Sequence, residues 1–244
     1  MKIKLLVVAA ATVVASSAMA QSAFEGFYGQ VGTGYESNSI SSLGGPYTYT
    51  YAGGSGSGNS TTANQTASGA PLVLGLGYTF AVSGPWLVGL GADYSALSQK
   101  TGTYGSTSTS STGSVTTNTG NQIEISNRYN IFVTPSYAIA NDKLVYLKGG
   151  YSSEQSKYTA PAQAGGNYAV SSTKNYNGYI LGLGYKQMIT SGLYGFAEGN
   201  YMSYSKNAST ITINGYNGGS YTSIASTNSS NSAYTLLVGV GYKF

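Results

Sequence analysis

Several segments of this chain alternate apolar with small or polar residues, and charged side chains lie on the polar face of these segments. There they could form ion pairs with one another. Reading every second residue collects four acids and four bases on that face: Glu36, Asp93, Glu154, Glu198, Arg128, Lys148, Lys186 and Lys243. Asp93 and Arg128 come from neighbouring segments at similar height, and Lys148, Lys186 and Glu198 come from three successive segments near mid-height. An isolated buried ion is costly, so opposite charges enclosed together must pair. The pattern predicts ion pairs in the interior of the fold.

Catalytic chemistry has little support in the sequence. The chain has no His and no Cys, which removes the Ser-His-Asp triad and the commonest metal ligand. Asp93 and Glu198 could act as paired carboxylates, but each has basic neighbours, and an ion pair explains the same residues. The Gly-x-Gly repeats (for example 75–77) lack the helix and third Gly of a dinucleotide site. We expect no enzyme and no catalytic, metal-binding or cofactor-binding residue.

The charged face belongs to segments that alternate with a period of two residues. In the last one, Tyr234, Leu236, Val238, Val240, Tyr242 and Phe244 form an apolar face with aromatic ends. This pattern over about 10 residues is typical of a β-strand that crosses a bilayer. Seven earlier segments repeat it, at 24–37, 72–82, 86–97, 123–140, 143–158, 176–189 and 193–206. We expect the strand 234–244 to close the structure.

The connections and the aromatic residues predict how the strands are arranged. Tight turns at 83–85, 141–142 and 190–192 alternate with long connections at 38–71, 99–121, 159–175 and 207–232. With the long connections placed at the top, one upper and one lower row of aromatic residues emerge. The upper row is Tyr35, Tyr94, Tyr129, Tyr151, Tyr179, Tyr201 and Tyr234; the lower row is Phe27, Phe80, Trp86, Tyr137, Tyr185, Tyr242 and Phe244. We predict an all-β fold, an eight-stranded antiparallel up-and-down transmembrane β-barrel with short periplasmic turns and four long extracellular loops.

The first twenty residues are typical of a secretory signal peptide. A basic start (Lys2, Lys4) precedes an apolar run at 5–15, and small residues precede a cleavage site between Ala20 and Gln21. Residues 21–244 then form one domain. Without Lys2 and Lys4, 9 of the 11 basic residues remain against 7 acidic ones. These charges are scattered, so we expect no nucleic-acid partner.

The ends of the predicted domain carry a family resemblance. Gly241-Tyr-Lys-Phe244, together with the segment Phe24-Glu-Gly-Phe-Tyr28 behind a signal peptide, resembles the OmpA/OmpX-type eight-stranded outer-membrane β-barrel family. The resemblance implies a monomer in the outer membrane of a Gram-negative bacterium, surrounded by lipid. It implies that the barrel-assembly machinery reads Tyr242 and Phe244. The chain departs from the longer family members in lacking a peptidoglycan-binding domain, and an omptin-like protease would need more strands and a His.

The long connections carry the functional hypotheses. They are rich in Tyr, Ser, Thr and Asn, as in Tyr47-Thr-Tyr-Thr-Tyr51, and such surfaces suit contacts with proteins or glycans. The first hypothesis is a structural and surface-interaction (adhesin-like) protein that binds an extracellular protein or glycan through these loops. The alternative is a narrow, porin-like channel for ions or small solutes. Large inward residues favour a plugged interior: Tyr28, Leu87, Phe132, Tyr146, Tyr194 and Phe196.

Overall fold

The computed structural model describes residues 22–163, 169–216 and 220–244. Within these ranges the chain consists of strands, turns and irregular connections, with no helix. No helix among these residues is long and apolar enough to cross a membrane. The predicted signal peptide, 1–20, and its cleavage site at Ala20 and Gln21 lie outside the described residues.

Fourteen strands follow one another along the chain. They are β1 (Gly26–Ser41), β2 (Gly45–Tyr51), β3 (Gly54–Thr61), β4 (Gln65–Gly69), β5 (Leu72–Ser83), β6 (Trp86–Ser95), β7 (Gln99–Lys100), β8 (Tyr104–Ser110), β9 (Val115–Ala140), β10 (Lys143–Ala160), β11 (Val170–Met188), β12 (Leu193–Tyr204), β13 (Asn207–Tyr216) and β14 (Ser220–Lys243). All named pairings are antiparallel, which confirms the predicted all-β antiparallel class.

Eight of the strands pair in a ring. The order β1–β5–β6–β9–β10–β11–β12–β14 returns to β1, so that each member has two antiparallel partners. Val31 of β1, for example, pairs with Leu74 on one side and Val240 on the other. These eight strands coincide with the eight alternating segments of the sequence. A ring of this kind leaves none of its members with a free edge at this level.

Strands occupy most of the four long connections, as alternating segments such as Tyr47-Thr-Tyr-Thr-Tyr51 favour. The strands β2, β3 and β4 lie within 38–71, β7 and β8 lie within 99–121, and β13 lies within 207–232. Alternating Tyr and Thr residues favour strands, and hairpin arms satisfy their backbone groups by pairing. We call this upper region the crown, meaning the described residues of 37–70, 96–127, 153–177 and 205–232.

The outward face of the ring is a broad exposed apolar band. Leu76 and Leu183 are 67% and 62% exposed, and the two predicted aromatic rows border the band. Every member of the two rows is exposed except Tyr185, which is half-buried. Neighbouring rings touch along the rows, as in Trp86–Tyr137, whose centroids are 4.9 Å apart. A continuous apolar surface of this size is unsuited to water.

A one-residue bulge in β9 reverses which residues face inward. Asn127 has a φ of 50°, and two residues, Asn127 and Arg128, stand opposite one residue of β10. Below the bulge the even-numbered residues are buried, and above it the odd-numbered Ile123 and Ile125 are buried. Asn tolerates this left-handed conformation, and bulges of this type realign side chains. The bulge therefore gives the crown an apolar core of its own.

Candidate functional site

An arginine occupies the interior at the level of the upper aromatic row. The Arg128 guanidinium lies 2.7 Å from Glu36 Oε1 and 2.6 Å from Glu154 Oε2, and both carboxylates are buried. It also donates to Tyr204 Oη at 3.0 Å and to the Asn38 amide oxygen. The Asn231 amide donates to the other Glu154 oxygen at 2.9 Å. Side chains from five strands thus meet in one cluster around Arg128, which the bulge at Asn127 aims inward.

A lysine is the centre of a second cluster lower in the interior. Lys148 Nζ lies 2.7 Å from Asp93 Oδ2 and 2.9 Å from Glu198 Oε1, and 4.0 Å from the centroid of the Phe132 ring. Neutral donors supply further hydrogen bonds to the two carboxylates. Asn130 donates to Asp93 at 2.6 Å, and Tyr146 and Asn200 donate to Glu198 at 2.7 and 2.8 Å. All of these groups are buried, so the ammonium group and the two carboxylates are enclosed together away from water.

Lys186 lies lower still and makes no ion pair with any described residue. Its Nζ lies 4.0 Å from the centroid of the Tyr28 ring and 4.8 Å from that of Tyr194, a cation–π arrangement. A small cavity, partly open to solvent, adjoins Lys186. Polar side chains on its wall include Gln30, Thr134 and Glu198. The cavity has room for about one water molecule.

The five sequence-predicted interior residues all lie inside the ring, but their partners differ from the simplest expectation. Asp93 pairs with Lys148 rather than with Arg128, and Lys186 packs on aromatic rings instead of joining an ion pair. Arg128 takes one acid, Glu154, from the adjacent β10 and the other, Glu36, from β1, which is not its neighbour. The amide and hydroxyl partners Asn38, Tyr204 and Asn231 could not be predicted from the sequence. Alternation indicates which face of a strand a residue occupies, but it does not give the level of that residue in the interior.

Inward glycines make the interior clusters possible. A Cβ on Gly184 would overlap the Tyr146 ring, and a Cβ on Gly91 would lie 2.8 Å from both the Phe132 ring and Tyr28 Oη. These positions belong to the Gly-x-Gly repeats. Their glycines therefore admit the rings of neighbouring strands, as expected for a narrow fold filled with side chains.

The C-terminal aromatic residues lie at the lower end of the outward face. The rings of Tyr242 and Phe244 are 5.3 Å apart, and both are exposed. The Phe244 amide donates to the Phe27 carbonyl at 2.9 Å, which ties the end of the chain to β1.

The crown contains a row of tyrosines on β2 that lies beside a row of glycines on β3. Tyr47, Tyr49 and Tyr51 follow one face of β2, with successive ring centroids 6.0 and 6.2 Å apart and planes inclined by 31° and 23°. The residues opposite them on β3 are Gly58, Gly56 and Gly54. Since glycines have no side chain, the rings of Tyr47 and Tyr49 lie over the β3 backbone. We call this surface the tyrosine row.

Below the hairpin tips, the crown has a small apolar core. Ile40, Ile123 and Ile125 are buried, and Tyr104 and Tyr158 pack against them. Burial raises the pKa of both tyrosines above the ordinary value for a phenol. The neutral Tyr158 hydroxyl donates to the Asn121 amide oxygen at 3.2 Å. This core holds the strands of the crown together above the Arg128 cluster.

Comparisons with known proteins give the fold. The sequence matches no family model and no curated protein. The outer membrane protease OmpT from Escherichia coli is 12% identical, over 94% of this chain and 100% of its own, with a TM-score of 0.53. Ail, the attachment invasion locus protein of Yersinia pestis, is 12% identical over 90% and 99%, with a TM-score of 0.44. OprG from Pseudomonas aeruginosa is 16% identical over 90% and 96%, with a TM-score of 0.45.

All three neighbours are outer-membrane β-barrel proteins. The likeness to OmpT shows that this chain has the same type of fold. It shows nothing about activity at this level of identity, and the two weaker likenesses carry no argument.

Proposed function

We propose that the protein is an eight-stranded barrel in the outer membrane of a Gram-negative bacterium, as the OmpA/OmpX-type resemblance implies. The ring of eight strands and the exposed apolar band between two aromatic rows support this proposal. The lower end with its tight turns and the C-terminal Phe244 would face the periplasm, and the crown would face outward. Tyr242 and Phe244 would then meet the barrel-assembly machinery.

The protein acts at the cell surface by binding an extracellular protein or glycan through its crown. The tyrosine row is the observation that carries this conclusion. Three rings with successive centroids about 6 Å apart and planes inclined by 31° and 23° form an aromatic platform, and apolar C–H groups of a sugar or a peptide pack well on such rings. The segments that flank it, 37–70 and 205–232, contain only one charged residue, Lys206, so the platform suits a neutral ligand.

A narrow channel is the second candidate, supported by the polar cavity beside Lys186. The Lys148 and Arg128 clusters oppose it, because they close the interior in two successive layers with buried ion pairs. Conduction would need both layers to rearrange. We propose no enzymatic activity, since the sequence lacks a His and its interior acids are paired.

Two measurements on the refolded chain test these functions. Binding to a glycan array and to a panel of extracellular-matrix proteins is compared with that of a variant in which Tyr47, Tyr49 and Tyr51 are Ser. A matched control replaces Thr48 and Thr50, on the opposite face of β2, with Ser. Loss of binding in the tyrosine variant alone supports the proposal, and equal binding by all three proteins contradicts it. Steady single-channel conductance in a planar bilayer would favour the channel.

A further inference from the structure

The cavity beside Lys186 is bordered by hydrogen-bond donors that lack acceptors among the described residues. The Lys186 ammonium has three N–H groups, yet its contacts in the described part of the chain are with tyrosine rings. The buried hydroxyls of Thr79 and Thr134 lie on the same wall, and neither donates to a described residue. The two hydroxyls also face a common space, because a Cβ on Gly89 would lie 3.5 Å from Thr79 Oγ1 and closer still to Thr134 Oγ1.

The acceptors on this wall are already in use. The Gln30 amide oxygen accepts from the Tyr194 hydroxyl at 3.0 Å, which leaves the Gln30 amide nitrogen as a further donor. Glu198 is the one carboxylate on the wall, and both of its oxygens accept hydrogen bonds within the cluster around Lys148. The cavity thus presents an ammonium group, two hydroxyls and an amide N–H, a set that suits a ligand with acceptor character.

The charges of the lower interior also favour an anion. In the cluster above the cavity, Lys148 contacts both Asp93 and Glu198. Lys243 lies with Lys186 on the wall of an adjoining small cavity, and neither lysine is within 4.0 Å of a described carboxylate. Three bases therefore stand against two acids in this region, and one monovalent anion makes the numbers of positive and negative charges equal.

We propose that the cavity is a binding site for one small monovalent anion, a halide such as chloride, held by Lys186, Thr79 and Thr134. Hydrogen bonds from an ammonium group to an anion are among the stronger ones, and the aromatic rings around Lys186 keep that group in position. A halide ion is close to a water molecule in size and fits this space, whereas sulfate and phosphate are larger. The site lies inside the ring of strands, so it does not depend on the proposed ligand of the crown.

The line width of the chloride NMR signal measures this binding on the refolded chain in a neutral detergent. Ionic strength is held constant with sodium sulfate, and detergent without protein is the blank. We expect the parent chain to broaden the chloride signal in a saturable way. Added bromide reverses the broadening by competing for the site, and the same charge added as sulfate does not.

Two variants locate the site, each first shown to be folded by its heat-dependent gel mobility. Lys186→Met removes the saturable broadening. Thr134→Val keeps every charge and ion pair and weakens chloride affinity by about tenfold, because a hydrogen bond to a charged ligand is lost. The matched controls are Lys157→Met and Thr33→Val, which replace exposed residues outside the cavity and bind chloride like the parent chain.

Three results would overturn the proposal. Absence of saturable broadening in the parent chain would mean that the cavity takes up water alone, and equal competition by sulfate would mean that chloride only screens charge. Parent-like affinity in Thr134→Val would place any bound chloride elsewhere, and this result decides the matter even if Lys186→Met does not fold. Binding by the tyrosine row is measured separately, so failure of the anion site leaves the proposed surface function open.

Discussion

Replacing Lys148 with Met removes the one cation that contacts both Asp93 and Glu198. Because the contacts of Lys148 with the two carboxylates measure 2.7 and 2.9 Å, the bound oxygens are at most about 5.6 Å apart, the sum of the two distances. At an effective dielectric constant of about 20, their repulsion is then about 3 kcal/mol. Asn130, Tyr146 and Asn200 remain as neutral donors. We expect the variant to lose about 3–5 kcal/mol of the free energy of unfolding, the usual cost of breaking a buried ion pair.

Urea unfolding in lipid vesicles, followed by the fluorescence of the single tryptophan, Trp86, measures this loss. Trp86 lies on the outward face, so its emission reports transfer between lipid and water. Lys100→Met is the matched control, because Lys100 pairs with Glu124 at 3.6 Å on the exposed surface of the crown. We expect that control to cost less than about 1 kcal/mol.

A third variant separates the effect of the buried charges on stability from the effect of side-chain packing. In the triple variant Asp93→Asn/Lys148→Met/Glu198→Gln the buried charges are absent, and we expect its stability to return to within about 2 kcal/mol of the parent chain. The reasoning is refuted if Lys148→Met costs no more than Lys100→Met. It is also refuted if the triple variant is as unstable as the single one, since the loss would then come from packing alone.

Other regions of the molecule give further predictions. Leu183→Arg, on the apolar band, should cost about 2–4 kcal/mol in vesicles, and Thr173→Arg on the crown part of the same strand should be neutral in the same unfolding assay. Gly184→Ala should cost about 1–3 kcal/mol, because the new methyl group displaces the ring of Tyr146. Phe244→Ser should reduce the amount assembled in the outer membrane of cells without changing refolding into detergent, and equal surface levels would contradict the assembly role. No hydrolysis of fluorogenic peptides should be detectable, and turnover above that of a heat-inactivated sample would contradict the proposal that the protein is not an enzyme.

The strands of the ring were predictable because their residues alternate between an apolar outward face and a polar inward face. Each segment carries apolar residues on one face and small or polar ones on the other. This alternation alone predicted that Lys148 and Glu198 face inward and that Leu147 and Val238 face outward. The partners inside the ring were less accessible to prediction. A contact such as Arg128–Glu36 depends on how far each strand is shifted along its neighbours, and a sequence with several equivalent registers does not specify that shift.

The crown was predictable only in part. Segments such as Tyr47-Thr-Tyr-Thr-Tyr51 favour strands, but the Ser, Thr and Gly composition of the crown does not specify which strands pair. The burial of Ile123 and Ile125 follows from the bulge at Asn127, whose positive φ no pattern of hydrophobicity reveals.

The bulge at Asn127 also affects how this surface can change by insertion and deletion over evolution. A strand that alternates without interruption can change length only by even steps, because a single added or lost residue exchanges its two faces. In β9, a deletion of Asn127 would turn Ile123 and Ile125 toward solvent and carry Glu124 into the apolar core. Conversely, if an odd number of residues were inserted above this level, a bulge formed here could restore the inward and outward faces. Tyr129 and the strand below would then keep their orientation. The outer part of the protein can therefore diversify in length and pattern while the part below the bulge keeps its own alternation.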